Sequence, residues 1–415
     1  MRDKADPAAP SGRKRGTAAD VLPYALTVAA VLLAWQVAIQ PFIERAPVEV
    51  AIRVAPGSPL VLRRAAESEL LAGRVDNAAS LSRDALVRAP FSVQALRIVG
   101  LTEARAGRGD RADDILTLAG NWSLRDGPTH AWLVDHRMRR GDYVSSFAHA
   151  DTLIRRREDI RPQVFSLFTV AATVDRERAL PVVARLVAVR PPWRQSYLDS
   201  LYGTNDGLQV ASALAVMLQS SPAPLTNAEL RQFYLQLIDK GQLPAVRAVR
   251  ERLNRPSSAT AVANGGFGDP SAPEPFQWRL AQTAGVIAEI VPDDLRPADP
   301  ALRVEYDGFS PSQIAEQMMF LPPGRHRLTA QTRAETGDPG ARLAWTVTCS
   351  PGDLVILATP SASATVWTPQ SADFTVPQAC PAQWLRLETR GDDRRSPVVA
   401  WFDRVAVTPL SSQGN

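Results

Sequence analysis

The spacing of apolar and polar positions changes three times along the chain, and each change marks a different kind of structure. From Val21 to Ile43 the run VLPYALTVAAVLLAWQVAIQPFI holds 23 residues without a formal charge. From residue 59 to 255 small, apolar and turn residues recur at a fixed interval of 34. Beyond Phe276 the interval drops to two. Phe276, Trp278 and Leu280 oppose Gln277 and Arg279, and Leu302, Val304 and Tyr306 oppose Arg303, Glu305 and Asp307. Leu343, Trp345, Val347 and Cys349 alternate in the same way with Ala344, Thr346 and Thr348. A period of two is the pattern of strands, and Pro/Gly turns between them point to an antiparallel sandwich. The expected chain is multidomain: a tail (1–20), one transmembrane helix (21–43), an all-α solenoid (59–255), a linker (256–275) and an all-β sandwich (262–411).

At about 1.5 Å per residue, a helix over 21–43 spans the roughly 30 Å hydrocarbon core. Arg13, Lys14 and Arg15 precede it and Glu44-Arg45 follow. The positive-inside bias therefore places the basic tail in the cytoplasm. Tyr24 sits where an interfacial ring belongs, and Pro23 and Pro41 fall near the two edges. A cleaved signal peptide is the rival reading, but it needs a shorter apolar region and small residues before the cut. The best cut, after Ala38, has Gln36 where a small residue should stand. A buried soluble helix is the third reading. With an uncleaved anchor the body lies outside the cytoplasm. The Arg/Ala/Pro bias suggests a bacterium, hence a single-pass inner-membrane protein with a periplasmic body.

Gly73, Gly107 and Gly141 are spaced by 34, as are Gly207 and Gly241, Ala78 and Ala112, and Ala85 and Ala119. The segment AESELLAGRVDNAASLSRDALVRAP places Ala66, Gly73, Ala78, Ala85 and Pro90 at small, turn, small, small and breaker positions. In these residues the region resembles tetratricopeptide repeats, whose units are helical hairpins of that length. About six such units fit between 59 and 255. One hairpin cannot bury its apolar face alone, so the units must stack. The resemblance implies a concave, protein-binding surface, on which Arg63, Glu67, Gln94, Arg97 and Asp135 are expected to be exposed. Arg137, Arg139, Arg140, Arg155, Arg156, Arg157 and Arg161 form a candidate basic cluster, readable as an anionic-partner or lipid-facing patch or as a solvated helical face.

Asn264-Gly265-Gly266-Phe267, FLPPGRHRLTAQTRA (320–334) and WFDRVAV (401–407) resemble the opening, middle and closing segments of galactose-binding-like jelly rolls, found as carbohydrate-binding modules. The resemblance implies a jelly-roll sandwich that can bind glycan. Two positions depart from the pattern: Gly268 stands where an acidic residue helps hold a structural Ca²⁺, and His326 stands where an aromatic is common. Asp269 and Asp403 are then the remaining candidate metal ligands, and no cofactor is expected. Sugar binding by such modules uses exposed rings. Alternation puts Trp278 and Trp345 in the core, and Trp384 on a face with Arg386 and Glu388. Trp384, Trp367 and Arg386 are therefore the candidate glycan-binding residues. Cys349 and Cys380, an even count in an exported domain, favour a disulfide over two buried thiols.

Charge changes the picture little. The chain is +4 overall, with +6 over residues 60–254 and −4 over 255–415, too diffuse for a nucleic-acid binder. Forty-four of the 47 basic residues are Arg, which reads as a coding bias. Four His and two Cys leave little catalytic material, and no nucleophile-elbow, zinc-protease or P-loop motif occurs. His130, His136 and His149 read as packing or repeat-surface residues. The expected function is a non-enzymatic scaffold, with protein partners on the repeats and a sandwich that docks to glycan, in envelope or extracellular polysaccharide assembly. The alternatives are a pure protein–protein adaptor and a carbohydrate-active enzyme with an unrecognised site.

Overall fold

The computed structural model describes residues 18–253, 261–309, 311–390 and 396–410. Most of the expected tail and the first part of the expected linker lie outside the described residues. The chain divides into two compact units, 1–156 and 157–415.

The first unit begins with α1 (Ala18–Arg45) and the short α2 (Val48–Val54). Among the described residues no helix is long and apolar enough to cross a membrane. Three helix pairs follow: α3 (Pro59–Leu71) with α4 (Val75–Arg88), α5 (Val93–Arg105) with α6 (Gly109–Trp122), and α7 (Gly127–Arg139) with α8 (Tyr143–Ile154). Each pair turns on a glycine with positive φ: Gly73 at 79°, Gly107 at 79° and Gly141 at 71°. A side chain there is strained, so the 34-residue recurrence has a backbone cause. Ala78, Ala85, Ala112 and Ala119 are fully buried, which lets neighbouring helices approach closely.

The second unit continues with α9 (Arg161–Val174), α10 (Arg176–Ala188), α11 (Arg194–Leu201), α12 (Asn205–Leu218), α13 (Asn227–Asp239) and α14 (Leu243–Arg252). Gly241 again turns at positive φ, 69°. Gly207, its sequence partner, does not. It lies in the first turn of α12, where a Cβ would stand 2.1 Å from the Leu201 carbonyl oxygen. Close approach, not turn geometry, requires glycine there.

Among the described residues ten strands form the sandwich: β1 (Arg279–Leu280), β2 (Val286–Asp293), β3 (Arg296–Tyr306), β4 (Gln313–Met319), β5 (Gly324–Thr336), β6 (Leu343–Ser350), β7 (Val355–Pro360), β8 (Thr368–Val376), β9 (Ala382–Thr389) and β10 (Val398–Pro409). One antiparallel sheet, here sheet A, has the order β1-β4-β9-β6-β7, and sheet B has β2-β3-β10-β5-β8. From β3 to β10 this is the jelly-roll order, with β1 and β2 added at the edges. Leu302, Val304, Leu343, Trp345, Val347, Leu385, Leu387 and Phe402 fill the space between the sheets. Cys349 and Cys380 are joined with Cα atoms 5.2 Å apart, tying the end of β6 to the approach to β9.

The last helix pair packs on the approach to β1. Tyr234 meets Phe276 edge to face at 5.0 Å, the Arg250 guanidinium lies 4.2 Å from the Phe276 ring centre, and Arg231 pairs with Glu274 at 2.8 Å. Burial holds the Arg250 guanidinium below its ordinary pKa.

Candidate functional site

Strand alternation decides which tryptophans can meet a ligand. On β9, Leu385 and Leu387 enter the core, so Trp384, Arg386 and Glu388 face outward from sheet A. Register sets Glu316 of β4 and Thr346 of β6 beside Arg386, and Met318 and Thr348 beside Trp384. Trp384 is half-buried, with the Arg386 guanidinium carbon 5.5 Å from its ring centre. Arg386 Nε donates to Glu316 Oε2 at 3.0 Å, and Arg279 of β1 pairs with Oε1 of the same carboxylate. Glu316 is buried, and two guanidinium partners are what make a charge acceptable there. The buried Thr346 hydroxyl has no hydrogen-bond partner among the described residues. Alongside lies a cavity of about 420 Å³ lined in part by Arg279, Gln282, Thr283, Ser312, Gln313 and Glu316. The cavity is polar and holds no aromatic residue, and Glu316 links it to Arg386 and so to the outward Trp384. A guanidinium, hydroxyls and amides in a concavity, with an aromatic face two residues along the strand from that arginine, suit a ligand with C–H faces and many hydroxyl groups.

Trp367 does not join this surface. It leads into β8, which belongs to sheet B, and its indole N–H donates to Asp293 Oδ2 at 2.8 Å. The Arg296 guanidinium lies 4.4 Å from the Trp367 ring centre. Arg333 stands 6.0 Å from Trp367 and 5.1 Å from Trp401, and Arg303 stands 5.7 Å from Trp401. Five side chains thus alternate as Arg296, Trp367, Arg333, Trp401, Arg303. Most of their polar ends have partners: Arg333 Nη2 donates to Asp293 at 2.6 Å, Trp401 Nε1 to Glu335 at 2.6 Å, and Arg296 Nη1 to Gln331 at 2.8 Å, whereas the buried Arg333 Nε has none among the described residues. Arg303 pairs with Glu305, Glu289 and Glu335. The Trp401 indole, and after it Arg303, holds the Glu335 carboxyl below its ordinary range. Trp401 is only 4% exposed. Its outward position was readable from Ala400 and Phe402, which flank it and enter the core.

The two candidate metal ligands are engaged elsewhere. Asp269 Oδ1 accepts from the Ser271 amide at 2.9 Å, and Asp403 Oδ1 accepts from the Arg404 amide at 2.6 Å. Asp403 also faces Arg296 at 3.4 Å, and burial pushes its carboxyl above the usual range. Among the described residues no three His, Cys, Asp or Glu side chains stand together as a metal site. The Asn264–Phe267 segment is a closure device: the Val405 amide donates to Gly265 O at 2.8 Å, and a Cβ on Gly265 would lie 1.8 Å from Val405 O.

The helical candidates also separate. Gln94 and Asp135 are exposed, Asp135 pairing with Arg139, and Arg63 is half-buried beside Glu67 at 3.7 Å. Arg97 is 8% exposed, a correction to the expected open face. It donates to Glu67 of α3 at 2.8 Å and to Asp126 before α7, so it joins three successive pairs. The basic cluster is divided as well, because α7 and α8 run in opposite directions. Arg139 and Arg140 end α7 at one edge, whereas Arg155 and Arg156 follow α8 at the other.

Arg137 belongs to neither edge. Its Nε donates to Asp113 at 3.0 Å and its Nη1 to His149 Nε2 at 3.1 Å. His149 Nδ1 meets His130 Nδ1 at 2.9 Å, and His130 Nε2 faces Ser123 O at 3.3 Å. A carbonyl only accepts, so protons are forced into one direction: Arg137 to His149 to His130 to Ser123, with both imidazoles neutral. Burial, then His130 and Arg137, lowers the His149 pKa to about 4. His136 stacks on Trp132 at 4.4 Å instead. In the second unit a cleft of about 720 Å³ is lined by Arg190, Arg194, Thr226 and Glu229 among others. Its central charges are closed on each other: Arg194 donates to both Glu229 oxygens, at 2.8 and 2.9 Å, and to three carbonyls.

No family model and no curated protein matches the chain. Solved structures similar to part of it include TmCBM61 in complex with β-1,4-galactotriose, at 17% identity, covering 37% of this chain and 100% of that one, with a TM-score of 0.28. A family 16 carbohydrate-binding module matches at 17% identity over 36% of this chain and 99% of that one, with a TM-score of 0.27. The CBM22-1 xylan-binding domain from Paenibacillus barcinonensis Xyn10C matches at 12% identity over 31% and 83%, with a TM-score of 0.25. At these scores the likeness carries no argument about ligand or site.

Proposed function

We propose that this chain is a non-enzymatic, membrane-anchored binding protein of the bacterial envelope. Its sandwich binds a polysaccharide through the Trp384 face, and its helical pairs, read as tetratricopeptide-like repeats, bind protein partners. It serves envelope or extracellular polysaccharide assembly. The observation that carries the glycan reading is the Trp384–Arg386 pair, outward on sheet A, with Arg386 bonded to Glu316 at the polar cavity that Arg279 also lines. Support for the anchor comes from the 23 uncharged residues and from α1, where Tyr24, Leu26, Val28, Val31, Leu33 and Trp35 are exposed on two opposite faces of the helix. Apolar rings and side chains exposed on two faces of one helix are better accommodated in lipid or a protein interior than in water. The disulfide supports an oxidising, periplasmic address.

The test is tryptophan emission of the full chain titrated with a panel of envelope polysaccharides. A saturable change that Trp384→Ala removes and Trp367→Phe keeps is the expected result. A flat response across the panel favours the pure adaptor.

A further inference from the structure

The first unit has two unlike edges. One carries the turns at Gly73, Gly107 and Gly141, and its arginines are matched: Arg74 with Glu69 at 2.6 Å, Arg108 with Glu103, and Arg140 with Asp110. The other edge collects the starts of α3, α5 and α7 and the ends of α4, α6 and α8, because each pair reverses direction. Three contacts fix this. The Phe91 ring, after α4, lies 5.8 Å from that of Trp122, at the end of α6. Leu153, at the end of α8, lies against Gly127, at the start of α7. Arg64 of α3 donates to the carbonyls of Ile43 and Ala46, at 2.5 and 2.8 Å, so the end of α1 meets this same edge.

This second edge is apolar and basic together. Phe91 is 84% exposed, Leu124 64% and Trp122 42%. Arg88, Arg125, Arg155 and Arg156 are exposed around them, with Arg45 and Arg53 at the ends of α1 and α2. Among the described residues Arg125 and Arg156 form no ion pair, whereas Arg155 is held by Asp151 at 2.9 Å. Among the described residues Asp84 and Glu49 are the exposed acids at this end. Rings backed by arginines are what the headgroup layer of a bilayer accepts, the rings at the apolar boundary and the guanidinium groups on lipid phosphates.

We propose that this edge lies on the bilayer that holds α1, with Phe91, Trp122 and Leu124 in the headgroup layer and Arg88, Arg125 and Arg156 on anionic lipid headgroups. This rests on the anchor reading. It sets the turn edge away from the membrane and gives the unit a fixed orientation on the surface.

The experiment uses the full chain reconstituted into phosphatidylcholine vesicles with and without phosphatidylglycerol. Both native cysteines are in the disulfide, so an introduced cysteine takes an environment-sensitive dye alone. Dye at Leu124→Cys is expected to shift to the blue and to be quenched several-fold by brominated acyl chains. Phosphatidylglycerol should strengthen the effect and salt should weaken it. Dye at Arg108→Cys, on the turn edge, should not respond. Adding Phe91→Asp and Trp122→Asp should abolish the response at 124 while the chain still floats with the vesicles. Equal response at 108 and 124 overturns the proposal. So does a blue shift at 124 that brominated lipid leaves unquenched and dilution in lipid removes, since that reports a second copy. A chain that does not float with the vesicles refutes the anchor itself, and is read separately from the dye.

Discussion

The outer faces of the two sheets carry the same residue types and differ in what those residues have left to offer. Sheet B displays two tryptophans and three arginines in alternation, yet both indole N–H groups have carboxylate partners and Trp401 is covered. Sheet A displays one tryptophan on one arginine. Glu316 holds that arginine in place, and the ring stays half-buried, its indole N–H without a carboxylate partner among the described residues. An aromatic–guanidinium stack therefore says nothing by itself about ligand binding. A closed set stabilises the fold, and an open one can receive a molecule.

The comparison breaks most readily on sheet B. Trp401→Ala should lower unfolding stability by about 3–5 kcal/mol, the usual range for a buried large aromatic, and leave glycan binding intact in whatever fraction stays folded. Denaturant unfolding checks the first part and the emission titration the second. A loss under about 1 kcal/mol with glycan binding abolished would move the site to sheet B. On sheet A the disulfide closes a separation of 31 residues and ties β6 to the approach to β9, the strand that bears Trp384. In the chain-entropy model its removal costs roughly 3–4 kcal/mol. Cys349→Ser with Cys380→Ser should therefore weaken glycan binding along with stability. Unchanged binding at lowered stability would show that the Trp384 face does not depend on that tie.

How much of this was legible in the sequence depends on the range of the interaction. The turn glycines were legible because positive φ is a local demand, met at Gly73, Gly107, Gly141 and Gly241. Gly207 kept the interval for another reason, close approach to Leu201, and an interval cannot tell the two apart. Alternation told inside from outside correctly for Trp278 and Trp345, and set Trp384 outward. It could not say which sheet a strand joins, so Trp367 was grouped with a residue on the other sheet. Arg97 resembled a surface residue because its partners, Glu67 and Asp126, are 30 and 29 positions away. The cysteine pair was favoured by composition alone, and the fold supplies the proximity that composition lacks.

The histidine relay in the first unit extends the rule that closed polar sets carry stability, and acid should expose it. Unfolded His149 titrates near its ordinary value of 6.5, and folded His149 near 4. Between those values the unfolded chain binds the extra proton, so stability falls as pH is lowered from about 6.5 toward 4. The slope approaches about 1.4 kcal/mol per pH unit, and partial exposure limits the total to about 2 kcal/mol. Protonation would set an imidazole N–H against Arg137, with Asp113 and Asp142 offering partial relief. Hydrogen exchange of α7 and α8 at about pH 7 and about pH 5 reads the effect, and His149→Gln should flatten it. An unchanged exchange pattern would mean the relay opens without weakening the fold.

The smallest expected stability change belongs to the residue on which the functional reading depends. Trp384→Ala removes a half-buried ring whose stacking partner, Arg386, keeps its bond to Glu316. An exposed cation–π contact contributes about 0.5–1 kcal/mol, so the variant should melt within a few degrees of the parent. Glycan affinity, by contrast, should fall tenfold or more, about 1.4 kcal/mol, because on the proposed reading the ring face is the sheet's main apolar contact with a sugar. Large loss of binding with small loss of stability is the signature of an open set. If Trp384→Ala instead unfolds the sandwich and Trp401→Ala does not, the roles of the two sheets are reversed. The stack on sheet A is then the structural one, and the glycan contact must be sought among the arginines of sheet B.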